Sequence, residues 1–147
     1  EPGAPSLDPS PLFPGYESYQ TLQDILPRLP ARTTWNILSA GTSSTHKSCP
    51  RFDEFTFAVP EQHLGQTGTL QLTFINERLE QTLFTPDNLE AYLSELGRAG
   101  TRFDLEGTAW APPATYIWKS NPVYGKFVGW RDARFADQVM QWIRRCA

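Results

Sequence analysis

Two successive stretches of this chain alternate between apolar and polar residues, and that alternation restricts the fold more than anything else in the sequence. In Glu54 to Val59, Phe55, Phe57 and Val59 share one side, with Glu54, Thr56 and Ala58 on the other. Leu70, Leu72 and Phe74 repeat the pattern, with Gln71, Thr73 and Ile75 facing away. Leu79 to Phe84 follows after Asn76-Glu77, a pair suited to a tight turn. A period of two belongs to strands whose faces differ in environment. Short turns between such strands impose antiparallel pairing, and a one-sided apolar pattern calls for cover on one face. Gly65 and Gly68 mark the turn region before residues 69–84, which form the strongest hairpin signal.

Helical signals flank these strands. Leu22, Ile25, Leu26 and Leu29 have the i, i+3, i+4, i+7 spacing of a helix over 17–26, with Ser18 as its N-cap and Pro27 ending it. Thr85-Pro86-Asp87-Asn88 reads as a helix start in which Thr85 caps and Pro86 takes the first helical position. Leu89, Tyr92, Leu93 and Leu96 form that helix's apolar stripe, and Gly97 stops it. A last helix over 133–145 is capped by Asp132 and carries Phe135, Val139, Trp142, Ile143 and Cys146 on one side. Thr33 to Ser39 reads as a strand. Ala114 to Lys119 and Tyr124 to Trp130 read as a second hairpin about Asn121-Pro122. Pro112-Pro113 bars a central strand just before it.

The expected order is therefore α-β-β-β-β-α-β-β-α. The fold class is α+β, with an antiparallel sheet of about six strands and three amphipathic helices packed on one face. The helix-then-meander order is similar in plan to small envelope lipoprotein domains and to protein inhibitors of that plan. This likeness of order carries no residue roles with it. At 147 residues the chain suffices for one domain. Residues 1–15, rich in Pro, Gly and Ser, read as an N-terminal tether or arm, and 16–147 as a single α+β domain. No apolar run is long enough to cross a bilayer as a helix. The chain begins at Glu1 without Met, so an upstream segment, such as a leader or lipid-anchor region, is expected to precede it.

Two cysteines, Cys49 in a Ser/Thr-rich loop and Cys146 near the end of the last helix, have neither redox nor zinc spacing. They are expected to form a disulfide, which places the protein in an oxidising compartment, the periplasm or outside the cell. The net charge of −3 disfavours a nucleic-acid phosphate binder.

No nucleophile motif accompanies His46 or His63, and no nucleotide loop or calcium loop is present. Among acidic residues, Asp53 and Glu54 are adjacent and point to opposite faces of a strand, whereas Glu77 and Glu80 flank a turn. Asp104 and Glu106 would share a side if 102–106 were extended. The sequence thus calls for no cofactor, no metal ligand set and no catalytic residue.

The remaining signal is aromatic. Trp142 belongs to the last helix's apolar stripe, but Trp110, Tyr116, Trp118 and Tyr124 cluster in sequence near the second hairpin. Tyr, Trp and Arg are the usual anchors of protein interfaces. The expectation is a non-enzymatic exported domain that binds another protein through these residues, as an assembly accessory, an inhibitor or an immunity-type factor. The alternatives are a small carboxylate-dependent hydrolase or glycan-active protein using Asp104 and Glu106, or a small-ligand carrier.

Overall fold

The computed structural model describes residues 1–4, 8–43, 48–121, 123 and 125–146. The chain is α+β, with a seven-stranded antiparallel sheet and three α-helices. Two short strands come first, β1 (Pro11–Phe13) and β2 (Tyr16–Glu17), and pair with each other. Helix α1 (Leu22–Ile25) follows. Next come the strands β3 (Asn36–Ser43), β4 (Phe52–His63), β5 (Gln66–Ile75) and β6 (Arg78–Pro86), then α2 (Leu89–Arg98). Strands β7 (Thr108–Ala111), β8 (Thr115–Lys119) and β9 (Val128–Asp132) lead into α3 (Ala133–Cys146). The large sheet runs β3-β4-β5-β6-β9-β8-β7.

The alternation seen in the sequence sets the two faces. Phe57, Val59, Leu70, Leu72, Phe74 and Phe84 enter one core cluster, and Phe55 packs against it. Both hairpin turns in this region contain two residues with positive φ, Leu64-Gly65 (50° and 77°) and Asn76-Glu77 (49° and 68°). Such turns match the twist of the strands they join. Asn76 holds its turn in place: its Oδ1 accepts from Asp53 N, and its Nδ2 donates to the Pro2 and Arg51 carbonyls, each at 2.8 Å.

Helix ends differ in detail from the pattern-based reading. Thr21, not Ser18, caps α1, through a reciprocal capping box with Asp24 (Asp24 N to Thr21 Oγ1 at 3.2 Å, Thr21 N to Asp24 Oδ2 at 2.9 Å). Asn88, not Thr85, caps α2, because Thr85 and Pro86 are still in the sheet opposite Thr69 and Gly68. That helix runs through Gly97 to Arg98, and Gly100, at φ 107°, lies just beyond it. The last helix begins after Asp132 as expected, although its Ile143 is exposed.

Two larger differences are linked. First, the described part of the Pro-rich segment is not a tether but part of the core. Leu12 and Phe13 are buried, and the Phe13 ring lies 5.5 Å from Phe84 and 5.3 Å from Trp130. The Thr82 hydroxyl donates to the Leu12 carbonyl, and that of Thr115 to the Pro11 carbonyl at 2.6 Å. Prolines remove donors, but these side-chain hydroxyls satisfy the segment's carbonyls without a full ladder. Second, the helices do not all cover one face. The first two lie over the Phe57–Leu72–Phe84 face, whereas α3 packs Phe135 and Val139 against Ile75, with Phe52 alongside, on the opposite face. The N-terminal segment already covers β6 and β9 on the first face, so α3 turns onto the other. There it is pinned by the Cys49–Cys146 disulfide (Cα–Cα 6.0 Å) and by a 2.7 Å hydrogen bond from Trp142 Nε1 to the Pro50 carbonyl.

If residues 11–13 are core, Leu12→Ala should destabilise the protein by about 2–5 kcal/mol, the usual range for emptying a fully buried leucine site. Urea unfolding measures this, and an unchanged midpoint would return the segment to the status of a tether.

Candidate functional site

Among the described residues the second sheet face is covered chiefly by α3, with Gly3 and Tyr19 beside Phe135, and its far end is aromatic. Strand register puts Trp110 opposite Tyr116, Tyr116 opposite Arg131, and Trp118 opposite Gly129. Side chains at paired positions share a face, so these residues stand together. The ring centroids of Trp110 and Tyr116 are 5.2 Å apart at 66°, and those of Tyr116 and Trp118 are 5.5 Å apart at 26°. Trp110 is 63% exposed, an unusual state for so large an apolar side chain. Tyr124, the fourth aromatic singled out from the sequence, lies outside the described residues.

The groove beside these rings has a volume of about 260 Å³ and lies between β7–β8 and the first turns of α3. Trp110 and Tyr116 form one wall, and Ala133, Ala136 and Met140 form the helix side. Arg131 and Asp137 also line it. The two alanines keep the groove open, since a larger side chain there would fill it.

Gly129 explains the position of Trp118. A Cβ at this residue would lie 2.5 Å from Trp118 Cζ2 and 2.7 Å from Leu83 Cδ2. The indole therefore lies against a bare backbone strip, and a glycine inside a strand marks such a close approach. Trp118 closes the sheet surface, Tyr116 stacks on it, and Trp110 is the outermost ring.

Arg131 is fixed from below. Its Nε donates to Glu80 Oε1 at 2.6 Å, and a second guanidinium nitrogen also contacts that oxygen. Glu80 is the extra residue where the β5–β6 register shifts, and its side chain is only 3% exposed. Burial pushes its carboxyl above the ordinary glutamate range, and Arg131 returns only part of that shift. Oε2 of Glu80 has no hydrogen-bond partner among the described residues. The buried carboxyl thus orients the guanidinium toward the groove rather than meeting solvent itself.

Asp132, next along β9, is fully buried and works differently. Burial alone would raise its carboxyl. Hydrogen bonds from the Arg134 guanidinium (2.8 Å), the Ser18 hydroxyl (2.7 Å) and the Arg134 backbone N–H (2.9 Å) outweigh that and hold it below the usual range.

The other acidic and histidine candidates are dispersed. Asp104 accepts from the backbone N–H groups of Glu106 (2.9 Å) and Thr108 (3.0 Å), so it builds a turn. Residues 102–106 are not a strand, which removes the geometry that would have paired Asp104 with Glu106 on one side. Glu54 accepts from Ser39 and Thr56, while Asp53, on the other face, pairs with Arg51 at 3.1 Å. His63 packs its ring 4.8 Å from Phe13, with Nδ1 2.7 Å from Tyr92 Oη, and burial lowers its pKa. His46 lies outside the described residues. A separate cavity of about 430 Å³ lies on the first face, with Leu22, Phe55 and Phe74 as its apolar lining and Asp53 and Glu77 as its acidic lining.

Reasoning from sequence missed Arg131 and Met140, and it placed Glu80 beside a turn without linking it to this site; the three lie on different elements. Gly129 was the one detectable signal, as a lone glycine within a strand. Comparison with family models, curated proteins and solved structures returns no match for this chain.

Two outcomes are expected. Gly129→Ala should displace the Trp118 indole and cost about 1–3 kcal/mol, as overpacked sites do. Its checks are the denaturation midpoint and tryptophan fluorescence. The depressed Asp132 carboxyl contributes stability fully above the ordinary aspartate value of 3.8, and this is lost as pH falls through its lower folded value. Asp132→Asn should therefore cost about 2–4 kcal/mol at neutral pH and flatten the acid limb of the stability–pH curve.

Proposed function

We propose that this chain is a non-enzymatic protein-binding domain that acts in the periplasm or outside the cell, in the manner of an assembly accessory, an inhibitor or an immunity-type factor. The binding surface in this reading is the aromatic end of the open sheet face. The observation that carries it is the largely exposed Trp110 beside Tyr116 and Trp118, at the rim of a groove lined by Met140 and the held Arg131. Tryptophan, tyrosine, methionine and arginine are the side chains enriched at protein interfaces. An exposed indole also offers a partner a large apolar area at little further cost in conformational entropy. The disulfide supports an oxidising compartment, since such bonds persist mainly there. No described helix is long and apolar enough to cross a membrane.

The test begins with capture of the partner from envelope and secreted fractions of the source organism. Titration of the purified partner with wild-type protein and Trp110→Ala then follows. Trp110 projects into solvent, so the substitution should leave the melting temperature nearly unchanged. It should weaken binding by about thirtyfold or more, the loss typical of a central interface anchor. Equal affinity of both proteins for the captured partner would remove this face from the reading.

A further inference from the structure

The two edges of the large sheet are very unequal. At one end β7 is four residues long and runs into Pro112-Pro113, which cannot donate to a further strand. At the other end β3 is eight residues long, is exposed at every position and, among the described residues, pairs only with β4. Exposed edge strands are normally guarded by charges or proline, because their free N–H and C=O groups offer a template to other chains. Asn36–Ser43, with the sequence NILSAGTS, contains neither. Its one irregularity is the register shift between Ile37 and Ser39, which leaves Ser39–Ser43 as a regular, unguarded run of small or short side chains.

We infer that Ser39–Ser43 is the contact through which two copies of this chain pair, antiparallel and edge to edge, so that their sheets become continuous. The occupant is a second copy for two reasons. A two-fold axis at Gly41 sets Gly41 against Gly41, Ala40 against Thr42 and Ser39 against Ser43, so self-pairing opposes no like charges and no bulky groups on either face. An isologous contact of this kind closes after two subunits. The competing head-to-tail pairing of β3 with β7 would make an open filament, and the short β7 ending at two prolines cannot supply five regular ladder positions. This inference stands apart from the proposed function, because β3 and the aromatic groove lie at opposite ends of the sheet.

Gly41 provides a test that spares the fold. A Cβ at this position meets nothing within 4 Å, so a side chain can be added without a clash. Sedimentation velocity over a concentration series should show a reversible dimer of the wild-type protein. Gly41→Lys and Gly41→Glu should each weaken it about tenfold or more, since like charges would face each other across the axis. An equimolar mixture of the two variants should restore it, with the melting temperature of Gly41→Lys close to wild type and that of Gly41→Glu, which faces Glu54 on β4, slightly lower. Hydrogen exchange at residues 39–43 should slow as the wild-type concentration rises. A wild-type protein that stays monomeric into the millimolar range would overturn the inference. So would a dimer unaffected by Gly41→Lys, a mixture that does not recover, or a dimer abolished by Trp110→Ala, which would place the contact on the aromatic face.

Discussion

The buried carboxylate of Asp132 is the point on which the arrangement of this chain turns. It ends β9 and caps α3 by accepting from the Arg134 N–H at 2.9 Å. It also accepts from the Ser18 hydroxyl of the N-terminal region at 2.7 Å. An ionised carboxyl out of contact with water is costly unless its lone pairs are filled. Here they are filled by groups from two distant parts of the chain, so sheet end, helix start and N-terminal segment must come together or the charge is left bare.

That junction decides what covers each face. With Ser18 held at Asp132, the preceding residues are drawn across β6 and β9, and Leu12 and Phe13 enter the core there. The last helix starts at the same junction and passes to the other face, where Phe135 and Val139 meet Ile75. One amphipathic helix cannot cover seven strands. What remains open is therefore a consequence of the packing: the Trp110–Tyr116–Trp118 cluster at one end, and the uncharged β3 edge at the other.

The open aromatic end is also preorganised. Gly129 leaves room for the Trp118 indole, and Glu80 beneath Arg131 restrains the guanidinium. Groups fixed in advance lose less entropy on binding, so more of their contact energy appears as affinity. Burying Glu80 to achieve this has a cost, visible in its raised carboxyl and its unpaired oxygen.

Much of the fold was legible in local pattern. Phe57, Leu72 and the Asn76-Glu77 turn declared the central hairpins, because strand alternation and turn chemistry depend on neighbouring residues alone. The stripes of α2 and α3, the Cys49–Cys146 disulfide and the aromatic character of residues 110–118 were likewise readable from spacing. The N-terminal segment misled because its prolines mark it as unable to form ladders, yet hydroxyls of Thr82 and Thr115, far along the chain, satisfy its carbonyls. The Asp104–Glu106 pairing failed because a side chain that caps backbone N–H groups bends the very segment whose extension the pairing required. The sequence by itself determined which residues alternate, where helices stop and which cysteines pair, since these follow from short-range sterics and from there being only two thiols. Only the tertiary structure decided which face each helix covers, which aromatics stay exposed and which edge is unguarded, because these depend on competition between distant segments for the same buried surface.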